Sequence, residues 1–148
     1  MGRLTLHWDP SDPRDPGPCI DVYLTNSQET IDAGRLVGFE YPEPPRLRAL
    51  LDTGASMSVI STTYAHNWKL FQTNAGVEVR ALGAMQLCGE HAASIRFPGS
   101  DLHPFDPIRV LTASFVQERN YACLIGRDIL RNWSITFDGR SKRVIIED

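Results

Sequence analysis

The sequence predicts an all-β fold, a barrel or a sandwich of short strands. Three observations carry this. Most apolar-rich segments are short, and several alternate with a period of two. Ten prolines and eleven glycines cut the chain into pieces that leave little room for long helices. Helical patterning is confined to two short segments, 62–70 and 127–132. The 148 residues suit one domain, and 42% apolar with 22% charged residues is the composition of a packed chain.

Taken in order, Arg3 to Trp8 alternates and reads as the first strand. Asp9 to Pro18 holds four prolines among aspartates and reads as an exposed loop. Cys19 to Leu24 and Arg35 to Glu40 are short and apolar-rich, and both read as strands. Tyr41 to Pro45 breaks the chain again. Arg46 to Leu51 then alternates and becomes continuously apolar as it nears Asp52. Thr62 to Leu70 reads as a short helix. Val77 to Leu82, Ser94 to Phe97 and Ile108 to Leu111 read as strands, with a break from Pro98 to Pro107. Arg127 to Asn132, directly after Gly126, reads as the C-terminal helix. Trp133 to Phe137 alternates strictly, Asp138-Gly139 opens a turn and Val144 to Ile146 returns, which predicts a hairpin. The expected organisation is one domain over 1–148. N-terminal strands and the proline-rich loop fill 1–46, the motif-bearing core 47–137 and the closing hairpin strand 138–148.

Charge and composition exclude several functions. A net charge of −3 without a basic stripe argues against a nucleic-acid partner. No 18-residue apolar window occurs, so no membrane-spanning helix is expected. The start, Met1 to Pro10, lacks the apolar region of a secretory signal, which points to the cytoplasm. Cys19, Cys88 and Cys123 are widely spaced and read as free thiols of a reducing compartment. His7, His66, His91 and His103 share no ligand spacing, and Asp101, His103 and Asp106 sit in a Pro/Gly loop, so no metal or cofactor is expected. Ser56 and Ser58 lack the glycine context of a serine nucleophile. Trp8, Trp68 and Trp133 read as core anchors.

The informative segment is Ala49-Leu-Leu-Asp-Thr-Gly-Ala-Ser-Met-Ser-Val-Ile60. A carboxylate at the end of an apolar strand is costly to bury without partners. Gly54 permits a tight turn and lets backbone amides approach Asp52. By itself the tripeptide also fits an Asp that opens a hairpin, with Thr-Gly as turn residues. A second segment, Ala122-Cys-Leu-Ile-Gly-Arg-Asp-Ile-Leu-Arg131, is an apolar strand, a glycine and a short amphipathic helix. Alone it also fits a plain strand-to-helix junction.

Together the two segments resemble the retropepsin family, the retroviral-type aspartic peptidases with their cellular and bacterial relatives. Asp52-Thr53-Gly54-Ala55 and Leu124-Ile125-Gly126-Arg127-Asp128 match that family's two motifs in order, over roughly Leu47 to Phe137. The resemblance implies a small closed β-barrel with one short C-terminal helix. It implies Asp52 as catalytic aspartate, Thr53 in a hydroxyl lattice between subunits and Gly54 offering its amide to the carboxylate. Ala55, Ser56, Met57, Val59 and Leu124 fall where the family lines its substrate pockets. Gly126, Arg127 and Asp128 would support the site. The flap, a hairpin that closes over substrate, is expected at Arg80 to Gln86, with Leu82, Gly83 and Ala84 at its tip. Ser56 stands where many retroviral enzymes carry an Asp paired to the arginine, so Arg127 is expected to find another partner, Asp128 or a second chain.

The implied chemistry needs two carboxylates in contact, sharing one proton. One takes a proton from a bound water, which attacks the peptide carbonyl. The other donates toward the carbonyl oxygen. The chain holds a single Asp-Thr-Gly, so the second aspartate is expected from a second copy in a two-fold homodimer. Ala55 cannot offer the hydroxyl that favours the charged carboxylate, which implies a mildly acidic optimum of about pH 4–6. The pocket residues imply a peptide or protein substrate with apolar side chains. The expected function is therefore an aspartic endopeptidase. The alternative is a catalytically weak or inactive module of the same fold that dimerises or binds peptides.

Overall fold

The computed structural model describes residues 1–81, 83–114 and 120–148. Its strands are β1 (Arg3–His7), β2 (Cys19–Asn26), β3 (Leu47–Leu51), β4 (Val59–Ser61), β5 (Gln72–Ala81), β6 (Ala84–Arg96), β7 (Phe105–Ala113), β8 (Cys123–Ile125), β9 (Ser134–Asp138) and β10 (Arg143–Glu147). The helices are α1 (Gln28–Leu36), α2 (Thr62–Asn67) and α3 (Arg127–Leu130). The all-β class holds. The short C-terminal helix is α3 and the segment expected at 62–70 is α2, while α1 is a third helix among the described residues that was not expected.

Strand pairing closes a ring. β2 pairs β3, β3 pairs β8, β8 pairs β4, β4 pairs β7, β7 pairs β6, and β6 returns to β2. β2 achieves this by changing partner midway. Its first half, Cys19 to Val22, pairs β3, and its second half, Tyr23 to Asn26, pairs β6. Inside the ring lie Ile20, Val22, Leu24, Ala49, Leu51, Ile60, Ile95, Val110 and Ile125, all buried. Each large aliphatic side chain so placed contributes about 1.5–3 kcal/mol of burial. β2 alternates half-buried with buried residues, so one of its faces lines the core and the other is only partly covered.

β5 and β6 run on beyond the barrel. β6 pairs β7 only from Glu90 onward, so residues 77–88 form a two-stranded hairpin. Its turn joins Ala81 to Ala84 through two residues, one of them Gly83 at φ +79°, a conformation that glycine adopts without strain. The sequence showed only the alternating ends of these strands. Residues 72–76 and 84–92 carry no clean period of two.

One helix needed more than periodicity to be seen. The segment Arg35 to Glu40, expected as a strand, is the end of α1 and the loop after it. α1 buries none of its residues, so it has no apolar stripe to read. It is set by its ends instead, where Ser27 caps it by accepting from the Thr30 N–H and Arg35 lies in the last turn. α2 is shorter than expected and buries Tyr64 and Ala65. The Tyr64 hydroxyl donates to the Leu24 carbonyl at 2.6 Å, and its ring stacks on Trp68.

The chain ends make a second sheet, in the order β1, β10, β9. Val144 and Ile146 of β10 are fully buried in the common core, beside Trp133, whose ring packs edge-on against Phe97 and Phe105. Asp148 fastens this sheet. Its carboxylate accepts from the backbone N–H of His103, from that of Gly2 at 2.6 Å and from His103 Nδ1 at 3.0 Å. Gly2 lies so close to Asp101 that a Cβ there would stand 2.4 Å from its carbonyl oxygen.

The backbone N–H of His103, with desolvation opposing and the Gly2 N–H helping, holds the Asp148 carboxyl down at about 2. An unfolded aspartate titrates near 3.9. The clasp therefore adds stability above about pH 4 and loses it as pH falls toward 2. Asp148→Asn is expected to lower the melting temperature at pH 7, with the gap to wild type closing between about pH 4 and 2. Thermal unfolding across that range checks it.

Candidate active site

β3 delivers Asp52 to the end of the barrel. The Asp52 N–H donates to the Ile125 carbonyl at 2.9 Å, so the residue sits where β3 and β8 end side by side. The chain then turns. The Gly54 N–H donates to Asp52 Oδ1 at 2.9 Å and the Ala55 N–H to the Asp52 carbonyl at 3.3 Å. A Cβ on Gly54 would lie 3.1 Å from that same Oδ1, so glycine gives the amide its close approach. Asp52 is half-buried, while Thr53, Gly54 and Ser56 are exposed. Among the described residues nothing hydrogen-bonds to Oδ2.

The second motif grips this loop from behind. Arg127 touches it twice, its N–H donating to the Ala55 carbonyl at 2.9 Å and its Nη1 to the Thr53 carbonyl at 2.8 Å. Gly126 passes so near that a Cβ would stand 2.6 Å from Met57 backbone carbon and oxygen. Ser58, fully buried, joins the two segments. Its hydroxyl donates to Asp128 Oδ1 at 2.8 Å and accepts from the Gly126 N–H at 3.1 Å, while its own N–H donates to Asp128 Oδ2 at 2.9 Å. Asp128 Oδ1 also accepts from the Ile129 N–H at 3.0 Å. Asp128 thus serves Ser58 rather than Arg127, and Arg127 finds its partner in the Thr53 carbonyl. That corrects the expected Arg127–Asp128 pairing. A carboxylate surrounded by three donors within reach is already satisfied without a guanidinium.

Register places the expected pocket residues Val59 and Leu124 relative to Asp52. Leu50, two residues before Asp52, shares its face of β3. Leu50 lies opposite Leu124, Leu124 opposite Val59, and Val59 opposite Leu111. These four form one apolar row across the strands next to Asp52. Leu50, Val59 and Leu124 are half-exposed, and Leu111 is covered. Ala55, Ser56 and Met57 occupy the turn between β3 and β4. Val59 and Leu124, expected from the motifs as pocket residues, lie on this row, and Leu50 and Leu111, which the motifs did not single out, share it. The parity of Leu50 with Asp52 was the signal for the first, and no local signal marked Ser58.

Of the tip residues, Gly83 and Ala84 lie at the turn of the β5–β6 hairpin, and Leu82 lies outside the described residues. Met85 and Leu87 are well exposed beside the turn. His103 binds Asp148 and Asp106 accepts from the Gln28 N–H, so the Asp101–His103–Asp106 loop does not converge on a point. Burial pushes the Cys19 thiol up and that of Cys123 up to about 12, which keeps both protonated and poor nucleophiles. No described helix is long and apolar enough to cross a membrane.

A model of the retroviral aspartyl protease family matches residues 15–138. The match starts well before Leu47, in a part where the sequence alone showed no resemblance. No curated protein matches the sequence. Among solved structures, a retropepsin-like aspartic protease from Rickettsia conorii superposes with a TM-score of 0.59 at 12% identity, covering 99% of this chain and 91% of that one. EIAV protease complexed with the inhibitor HBY-793 superposes with a TM-score of 0.53 at 22% identity, covering 78% and 86%. Both likenesses show the fold.

The crossing at Gly126 and the bonds of Ser58 generate a prediction. Gly126→Ala and Ser58→Ala are each expected to cost about 1–3 kcal/mol of unfolding free energy. Gly139→Ala, where an added Cβ meets nothing within 4 Å, is expected to cost far less. Urea denaturation of the three variants checks it, and equal losses at Gly126 and Gly139 would contradict the crowding argument.

Proposed function

Because the chain belongs to the retroviral aspartyl protease family, we propose that it is an aspartic endopeptidase whose site is completed by a second copy. One arrangement carries this reading. Asp52 is presented at the end of β3, with one oxygen held by the Gly54 amide and the other unengaged among the described residues, beside an apolar row. A lone carboxylate has no partner for proton transfer. Paired with the partner's Asp52, it shares a proton, because two carboxylates in contact cannot both ionise. The ionised member takes a proton from water, the water oxygen bonds to the peptide carbonyl carbon, and the protonated member donates to the carbonyl oxygen. Collapse of the tetrahedral intermediate breaks the C–N bond: the amine leaves with the proton that the first carboxylate took from water, and a gem-diol hydroxyl returns a proton to the second carboxylate.

The open edge of β9 supports the pairing of copies. β1 and β10 already pair within one chain, and the order β1, β10, β9 leaves β1 and β9 at the edges among the described residues. β9 follows closely on α3, the helix that grips the Asp52 loop, which favours it over β1 as the strand that meets the partner. Two β9 strands in antiparallel contact would satisfy both edges. Arg127, from α3, holds that loop through the Thr53 and Ala55 carbonyls. Leu50, Met57, Val59 and Leu124 favour apolar substrate side chains next to the scissile bond. The β5–β6 hairpin, free of the barrel from residue 77 to 88, supplies a closing flap.

Digestion of a diverse peptide pool across pH 3–8, with cut sites read by mass spectrometry, tests this. Wild type is expected to cut best at about pH 4–6, with specific activity rising with enzyme concentration at low dose. Asp52→Asn is expected to abolish every cut. A wild-type protein that sediments as a dimer yet cuts nothing at any pH would leave a dimerising or peptide-binding module instead.

A further inference from the structure

We propose that the hollow between α1 and β2 is a binding site for a compact anionic ligand that carries a flat ring. The site is remote from Asp52. β2 and β3 are antiparallel, with Val22 opposite Leu47 and Cys19 opposite Leu50. Tyr23 to Asn26 therefore lie beyond the start of β3, whereas Asp52 follows its end. A ligand here does not compete with a substrate at Asp52.

The hollow exists because α1 stands off the barrel. None of its nine residues is buried, and a helix this short is not stable without support. The support is local. The Tyr41 hydroxyl donates to the Thr30 carbonyl at 3.0 Å, and the ring presses so closely on Gly34 that a Cβ there would clash with it. Asp106 accepts from the Gln28 N–H at the other end. Between these props the helix spans a cavity of about 550 Å³, within the size range of small-molecule sites.

Its lining has a definite chemistry. Tyr23, Tyr41 and Trp68 supply aromatic side chains to the lining, which also includes Arg35 of α1 and Arg96 of β6, both exposed to solvent. Arg96 lies directly opposite Tyr23 in the sheet pairing. Neither arginine has an ion-pair partner among the described residues. Glu43 is the one acidic residue of the lining, so the cavity carries an excess of positive charge. Two guanidinium forks match a carboxylate or phosphate, and the aromatic faces accept a flat ring. Such a ligand fills the space under α1 and braces it against the barrel.

The full chain titrated with 1-naphthyl phosphate, 1-naphthoate and inorganic phosphate, by calorimetry and amide NMR, tests the proposal. At least one naphthyl anion is expected to bind with a Kd below about 1 mM, shifting the amide signals of Tyr23, Arg35 and Trp68. Comparison of the two tells whether the site takes phosphate or carboxylate. Arg35→Gln and Arg96→Gln are each expected to weaken binding about tenfold. Arg46→Gln, an exposed arginine outside the cavity, leaves it unchanged. Three results would overturn the proposal: no saturable binding of either naphthyl anion, binding indifferent to both cavity arginines, or inorganic phosphate binding as tightly as naphthyl phosphate.

Discussion

The close passage of Gly126 across the backbone of Met57 is the constraint on which the site depends. It brings α3 against the Asp52 loop at a distance no side chain permits. Everything local follows from that proximity. Ser58 can reach both the Gly126 amide and Asp128, and Arg127 can reach two carbonyls of the loop. The loop is thereby held by backbone and buried polar contacts rather than by apolar packing, which suits a segment that must stay exposed. Buried networks of this kind hold a geometry firmly when every member is satisfied, and the Asp128 carboxylate is.

The barrel serves the same end. β3 and β8 are parallel neighbours, and β4 pairs β8 from the other side. That places the strand carrying Asp52, the strand leading to Gly126 and the strand leaving the loop edge to edge. The apolar row from Leu50 to Leu111 is a consequence of this order, not an extra feature. Closure of the ring through the partner change of β2 fixes the registers that create the row. The terminal sheet adds a second layer on the same core and leaves β9 with an open edge next to α3.

Much of this was legible in the residues, for physical reasons. Asp52-Thr53-Gly54 and Gly126-Arg127-Asp128 were readable because their glycines are demanded by close approach and their carboxylates by specific donors. β3 and β10 were readable because one face is buried, and β1 and β9 because Leu4, Leu6 and Ile135 pack half-buried against the core while their neighbours are exposed. α1 was not, because it buries nothing and leaves no stripe in the sequence, and its Arg35–Leu36–Val37 end mimics an apolar strand. The long middle strands were only half visible, since residues 72–76 and 84–87 are exposed throughout and need no alternation, whereas Val77 and Val79 are half-buried and show it. Ser58 was passed over because its role is defined by a partner seventy residues away, which local pattern cannot disclose.

The central claim is that one chain supplies half of a catalytic pair. The direct measurement is peptide cleavage by wild-type chains co-refolded with Asp52→Asn chains in varying proportion. If the site needs the partner's Asp52, activity falls as the square of the wild-type fraction, to about a quarter in an equal mixture. A linear fall, to about half, would mean that a single Asp52 suffices and would contradict the account.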